Sequence, residues 1–285
     1  PLKGFQGEGF FSTPNPKVGA VFTYYLKDDL KTIREKRKEV EKQKIKAGEP
    51  VSYPSADSIR LEDNYPDPYL LFVIKDEAGN VIRNLKAPAK KGMNRMVWDF
   101  RFGSPGPVAF NTPDPSNPYD VPELGYPAMP GKYTVSMGKF EDGKITELVT
   151  PQSFTVNSLN AASMPAADKK VLDAFCKKVS ELRRATASAD AYRGELSNKL
   201  KFIKQAILDA PASLPEALSQ VTNFEKRMVA VNTSLNGDAS LAKREFEIPT
   251  SINSRISAIE GSLWSTSAAP TQTAVQSLQT AGQQF

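Results

Sequence analysis

The chain has 285 residues, of which 40% are hydrophobic and 24% charged, and its formal net charge is +5. That length suggests about two domains and is enough for a hydrophobic core without disulfide or metal crosslinks. The sequence contains no histidine and a single cysteine, Cys176. These counts exclude His-dependent nucleophile systems, HExxH metal sites, an internal disulfide and CxxC sites. We therefore predict no catalytic residue, no metal site and no cofactor.

Hydropathy, charge and the first residues indicate which partners and what origin to expect for the protein. No apolar run approaches the ~18 residues of a membrane span, so no transmembrane helix is predicted. The basic excess is concentrated in residues 27–46 and lacks the interleaved aromatics of a nucleic-acid-binding face, which favours a solvated helix and no nucleic-acid partner. Pro1 is preceded by no initiator Met and followed by no signal peptide, so we expect a fragment of a longer protein or a processed product.

The first predicted region, residues 1–68, contains one strand and one helix. Residues 18–26 are rich in β-branched and aromatic side chains and predict a strand. Asp28 and Asp29 are predicted to cap a charged surface helix that runs to about Lys46, and Gly48 and Pro50 end it. We expect this region to connect to a preceding domain.

The second predicted region, residues 69–160, is rich in short alternating strands. A loop dense in Pro, Gly and Asn interrupts them at residues 102–130. Short strands separated by turns are typical of an antiparallel immunoglobulin-like β-sandwich. The predicted strands cover residues 69–74, 81–85, 93–101, 131–137, 145–149 and 153–156.

The third predicted region, residues 161–285, has helical spacing throughout. Apolar residues from Leu172 to Ile207 recur every three or four positions and predict one long helix that needs partner helices. Further helices are predicted at 214–235, around 252–264 and at 274–285, giving an up-down bundle of three to four helices. In the second helix, the inward-facing residues are predicted to be Leu218, Val221, Phe224, Met228 and Val231. The predicted fold is thus a multidomain α+β protein.

Three sequence features could indicate chemical sites, but for each of them a structural role is the favoured interpretation. Residues 138–145 nearly match the phosphate loop GxxxxGK[ST] but end in Ile145, and their context predicts a hairpin turn. A carboxylate pair for glycoside hydrolysis has only Asp99, Asp114, Asp120 and Glu123 to draw on, with no spacing that sets their separation. Asp99 is therefore predicted to accept hydrogen bonds from turn amides or Arg101. Cys176 beside the apolar seam is predicted to be a small buried side chain.

Two groups of residues are the main predicted sites. The structural core is predicted to include Trp98, buried in the sandwich, and Gly131, at a turn that requires backbone freedom. In the long loop, aromatic and proline side chains either contact a partner or a sugar ring, or pack flat on the sheet. The core group is Trp98, Asp99, Arg101, Gly131 and Tyr133, and the loop group is Tyr119, Pro122, Tyr126 and Pro127.

These residues also carry a family resemblance. Trp98-Asp99-Phe100-Arg101, followed by residues 130–135, resembles the WDxR…PGxYxV pattern of immunoglobulin-like modules in bacterial secreted and flagellar hook-capping proteins. Together with residues 14–26 and 263–273, nearly the whole chain resembles the C-terminal region of bacterial sortilin-type β-propeller proteins, often labelled BNR or Asp-box glycosyl hydrolases. No Asp-box (SxDxGxTW) occurs in the sequence.

The resemblance implies an exported protein, placed in the periplasm, on the outer-membrane surface or outside the cell. We expect a non-catalytic structural and protein-interaction module whose partner proteins belong to an outer-membrane or surface complex. The alternative is a carbohydrate-binding accessory module, in which Trp98 and the loop tyrosines stack on sugar rings.

Overall fold

The computed structural model describes residues 13, 15–87, 89–108, 114, 116–117, 120, 123–141, 143–159, 169–212, 214–264 and 266–285. In this part of the chain there are two antiparallel sheets with six strands in total, and seven helices. The predicted α+β class is therefore confirmed. The chain divides into two compact units, which we call the sheet unit (residues 2–101 and 130–158) and the helical unit (residues 1, 102–129 and 159–285).

This division groups the chain differently from the three predicted regions. The described residues of 2–68 belong with the strands, whereas the described residues of 102–129 belong with the helices. The physical reason is that Tyr126 is buried in the core of the helical unit, and Phe102 and Met129 pack against this core. The described apolar side chains at the two ends of the long loop therefore belong to the helical unit.

A two-stranded sheet opens the sheet unit. Strand β1 (Ala20–Leu26) pairs antiparallel with the strand at Gly92–Trp98, with Ala20 opposite Trp98. Gly19, which precedes β1, has φ +151°, and an added Cβ would lie 2.1 Å from the Trp98 carbonyl oxygen. A side chain at this position would therefore block the pairing.

Two helices follow β1 before the second sheet begins. Helix α1 (Ile33–Lys46) is capped by Thr32, not by Asp28 and Asp29 as predicted, because Thr32 and Glu35 form a reciprocal capping box. Helix α2 (Ala56–Asn64), which the sequence reasoning missed, is capped by the Ser55 side chain. Neither helix has a buried residue, so α1 lies on the surface as predicted.

The second sheet has four strands: β2 (Tyr69–Asp76), β3 (Val81–Ala87), β5 (Gly131–Glu141) and β6 (Lys144–Val156), while β4 is Gly92–Trp98 of the first sheet. Their order is β3-β2-β5-β6, all antiparallel. The two strands predicted at 145–149 and 153–156 form one strand, β6. Pro151 is accommodated because β6 is an edge strand and its register with β5 shifts at this point.

The core of the sheet unit lies between the two sheets. Phe22 and Tyr24 of β1 contact Phe72 of β2, with ring centroids 6.3 and 5.1 Å apart. Leu70, Ala87 and Met137 are the other buried residues of this cluster. Alternating side chains of β1 and β2 therefore hold the sheets together, as the period of two predicts.

The helical unit contains α3 (Lys169–Leu208), α4 (Pro215–Asn236), α5 (Ala239–Ala242), α6 (Ile252–Leu263) and α7 (Gln272–Gln284). With 40 residues, α3 is roughly 60 Å long. The largest part of its core comes from the first half of α3 and the inner face of α6, where the predicted 3-4 spacing holds. The buried residues of α6 are Ile252, Ile256, Ile259 and Leu263.

The second half of α3 packs differently from the prediction. No α3 residue beyond Thr186 is buried. Here α4 runs antiparallel to α3, and Lys204 pairs with Glu225 across the two helices at 2.9 Å. On α4, Val221 is buried, but Phe224 and Val231 are 47% and 41% exposed and do not face inward as predicted. The difference arises because hydrophobic spacing identifies a face without identifying what covers it.

Candidate functional site

Trp98 is the centre of an aromatic cluster in the sheet unit. Its side chain is fully buried, and its indole Nε1 donates a 2.9 Å hydrogen bond to the Arg101 carbonyl. The indole meets the rings of Tyr133, Phe154 and Phe100 edge-on, at centroid distances of 5.3, 6.1 and 5.5 Å. These contacts support a structural role, since a buried indole offers no face to a ligand.

The other predicted core residues lie beside this cluster. The Asp99 carboxylate accepts a hydrogen bond from the Arg101 amide at 3.1 Å. This closes a turn in which Phe100 has a left-handed φ of 58°. Gly131 begins β5, its φ lies outside the left-handed region, and an added Cβ would meet nothing within 4 Å. The prediction that Gly131 requires glycine's backbone freedom is therefore wrong.

Of the four residues predicted to form a partner-binding loop, the structure describes Tyr126 and Pro127. Tyr119 and Pro122 lie outside the described residues. Tyr126 is 5% exposed and stacks on Phe102 at a centroid distance of 4.1 Å, while the Phe102 amide donates to the Tyr126 carbonyl. The Tyr126 ring therefore does not face a partner or a sugar. Pro127 is half-buried.

A glycine makes this stacking possible. A Cβ at Gly125 would lie 2.4 Å from the Gly103 carbonyl oxygen and 2.6 Å from the Phe102 carbonyl oxygen. No real side chain tolerates such distances, so the two arms of the loop approach closely only because residue 125 has no side chain. Gly125 thus positions Tyr126 in the core of the helical unit.

The candidate carboxylates have separate local partners. Asp114 accepts hydrogen bonds from the amide and hydroxyl of Ser116, which lower its pKa, and Asp120 accepts one from the Asp114 amide. Glu123 instead pairs with Arg183 of α3. Each carboxylate is thus engaged in a turn or an ion pair, an arrangement that holds a loop together.

Two further sequence features have structural explanations. Residues 138–145 span the end of β5, a turn at Gly143 with φ 70°, and the start of β6, so they do not lead into a helix as a phosphate loop does. Cys176 is buried in the core of the helical unit, and burial raises the pKa of its thiol to about 11. A thiol in this environment is a poor nucleophile.

The sequence reasoning missed an ionic cluster in the helical unit. The guanidinium of Arg183 on α3 donates from Nε and Nη2 to Glu123 Oε1, at 3.1 and 3.0 Å. Glu260 of α6 also lies near this guanidinium, with its Oε2 3.9 Å from Arg183 Nε. Arg183 and Glu260 are far apart in the sequence, and no local pattern indicates that they pair. They come together because α6 packs on α3.

An apolar surface on the second half of α3 and on α4 is the strongest candidate for binding a partner. Lys204 and Glu225 face each other across these antiparallel helices, so the preceding residues, Ile203 and Phe224, turn to the same side. They are 48% and 47% exposed. Leu196 and Val231 lie two helical turns away on that side. We call Leu196, Ile203, Phe224 and Val231 the α3–α4 face.

The described residues contain no group of three or more His, Cys, Asp or Glu side chains placed to hold a metal ion. Among the described helices, none combines the length and the apolar character that a membrane span needs. No protein-family model, curated protein or solved structure matches the chain.

Proposed function

We propose that this chain is a non-catalytic structural and protein-interaction module from the C-terminal part of an exported bacterial sortilin-like β-propeller protein. In this proposal the two sheets form an immunoglobulin-like sandwich and the helices an up-down bundle. The module acts in a cell-envelope or outer-membrane assembly. Its position in that family rests on the sequence resemblance of residues 14–26, 98–101, 130–135 and 263–273.

The α3–α4 face is the observation that carries the interaction role. Ile203 and Phe224 belong to the same side of the antiparallel pair α3–α4, and about half of each residue is exposed. Contiguous exposed apolar surface is typical of interaction sites on soluble domains. Leu196 and Ile203 are two helical turns apart, as are Phe224 and Val231. This spacing fits an amphipathic helix of a partner protein that lies along the α3–α4 face.

The edge of this face suits a helix that combines apolar and acidic residues. The Arg227 guanidinium lies 5.7 Å from the Phe224 ring centroid. Lys199 is exposed on the same side of α3, next to Leu200 and Ile203 along the helix. Apolar contacts at the centre with cations at the rim are the usual anatomy of a protein interface.

Carbohydrate binding by aromatic stacking is not favoured by the described residues. Trp98 is fully buried and Tyr126 is stacked inside the core of the helical unit, so neither ring is open to a sugar. The described aromatic residues named for that alternative therefore do not support it.

Site-specific photocrosslinking in the producing bacterium tests the interaction role. A photoreactive amino acid at position 203 or 224 is expected to give a discrete crosslinked protein identified by mass spectrometry, and the same residue at position 202 is the matched control. Phe202 is also exposed, but it points to another side of α3. Ile203→Asp with Phe224→Asp should abolish recovery of that partner, whereas Phe202→Asp should not.

Two results would contradict the proposal. Equal crosslinking from positions 202 and 203 would show that the α3–α4 face is not specific. A crosslink to a second copy of the chain, accompanied by dimerisation in solution, would replace the heterologous partner with self-association.

A further inference from the structure

The Glu123–Arg183–Glu260 cluster joins three parts of the helical unit. Glu123 belongs to the segment 102–129, Arg183 to α3 and Glu260 to α6. Glu123 also accepts a hydrogen bond from Ser104 Oγ at 2.9 Å, near the start of the same segment. One carboxylate thus ties both arms of the segment to each other and to α3.

The cluster contains two carboxyl groups, Glu123 and Glu260, and one cation, Arg183. Both N–H groups that Arg183 directs at the cluster go to Glu123, which leaves Glu260 at 3.9 Å, beyond hydrogen-bond distance. The Glu260 side chain is 14% exposed, and its Oε1 is buried with no hydrogen-bond partner among the described residues. A buried carboxylate that receives no hydrogen bond is costly as an anion, even with the Arg183 charge nearby, and this cost favours protonation of Glu260.

The surroundings offer no alternative cation among the described residues. Helix α7 packs against α6 and carries no ionisable side chain. Helix α4 meets α6 near Leu235, and its last charged residue, Arg227, lies two turns earlier. On α6 itself the only other charged residue is Arg255, more than one turn away. Within the described part of the chain, the charged groups that face Glu260 are therefore Arg183 from α3 and Glu123 from the segment.

The acidity of Glu260 agrees with this geometry. Burial raises the pKa of its carboxyl to about 7, the nearby charge of Arg183 lowers it, and the charge of Glu123 raises it. The side chain therefore changes its charge close to neutral pH, where an ordinary glutamate has long been ionised.

We propose that the cluster is a proton-controlled ion-pair switch, which we call the latch: protonation of Glu260 decides how firmly Glu123, and with it residues 102–108 and 123–129, is held to α3. When Glu260 is protonated, Arg183 forms its ion pair with Glu123, and this ion pair connects the described end of the segment to α3. When Glu260 releases the proton, its charge competes for Arg183 and repels Glu123, so this end of the segment loosens. Linkage makes the effect reciprocal: loosening Glu123 must also lower the proton affinity of Glu260.

Two measurements on the full chain test the latch. The first is the titration midpoint of the Glu260 carboxyl by carbon NMR, with its signal assigned by its loss in Glu260→Gln. The second is the hydrogen-exchange protection of the Phe102 amide, which donates to the Tyr126 carbonyl at 3.0 Å. Between about pH 6 and about pH 8, protection corrected for intrinsic exchange should fall about fivefold or more in the wild type and stay constant in Glu260→Gln.

Two variants separate the latch from a general effect of charge. Glu123→Gln should lower the Glu260 midpoint, because it removes the repelling carboxylate and frees Arg183. Glu225→Gln is the matched control, since it removes a carboxylate that pairs with Lys204 in the same unit. It should leave both readouts unchanged.

Each of three results would overturn the latch. These are a Glu260 midpoint near the ordinary value of 4.5, an equal fall in Phe102 protection in wild type and Glu260→Gln, and an unchanged midpoint in Glu123→Gln. None of them bears on partner binding at the α3–α4 face, so the latch and the proposed function fail independently.

Discussion

Replacing Glu260 by glutamine is expected to remove a pH dependence of stability that the wild-type helical unit shows on the alkaline side of pH 4.5. Burial raises the pKa of this carboxyl from 4.5 to about 7 in the folded chain. Between these values the folded state holds a proton that the unfolded state has released. Because stability falls with pH wherever the folded state binds more protons, the wild type should become less stable as the pH rises from 4.5 to 7.

The size of the effect follows from the same two values. Each tenfold change in proton affinity is worth about 1.4 kcal/mol, so the change from 4.5 to about 7 corresponds to a loss of about 3 kcal/mol. This is an upper value, since Glu260 is partly exposed and water reduces the cost of its charge. The contribution is complete below pH 4.5 and absent above about pH 7.

Denaturant unfolding followed by far-ultraviolet circular dichroism measures this dependence, because most of the helices belong to the helical unit. The comparison is the slope of unfolding free energy against pH, since the amide introduced by Glu260→Gln shifts the absolute stability at every pH. Glu225→Gln should retain the wild-type slope. A wild-type chain whose stability is constant or rises from pH 4.5 to 7 would refute the reasoning.

Three other predictions concern packing. Trp98→Ala should destabilise the sheet unit by about 3–5 kcal/mol, seen as a lower denaturant midpoint, and an unchanged midpoint would contradict the role of the aromatic cluster. Gly125→Ala should destabilise the helical unit because its Cβ would meet the Gly103 carbonyl oxygen, whereas Gly282→Ala on α7, where the space is open, should stabilise it by up to about 1 kcal/mol. Alkylation of Cys176 should be slow in the folded chain and fast after denaturation; rapid labelling of the folded chain would refute its burial.

Local signals in the sequence predicted most of the regular elements. Alternating β-branched and aromatic residues predicted β1, β2 and β4, and Pro and Gly predicted the ends of α3 and α4. The capping box of Thr32 and Glu35 is also a local signal, although Asp28 and Asp29 were predicted as the cap of α1, and Ser55 is the local signal for α2, a helix that was not predicted. These features are predictable because they depend on interactions within a few residues.

In contrast to the regular elements, the surroundings of the candidate site residues depend on packing between distant parts of the sequence. Nothing near Tyr126 indicates that its ring enters a core made by α3 and α6, and the close approach that requires Gly125 exists only after the segment has folded back on itself. In the same way, the spacing of α3 identified apolar positions without indicating that α4 packs on the second half of this helix.

The order of residues was enough to predict where most strands and helices form, that Trp98 is buried, and that the chain lacks histidine chemistry. Three other features became visible only in the folded chain: where Phe102 and Tyr126 pack, which apolar residues stay exposed on the α3–α4 face, and that Glu260 shares Arg183 with Glu123. The reason is physical. Backbone preferences and caps act over one or two turns, whereas burial and charge pairing depend on which distant surfaces meet.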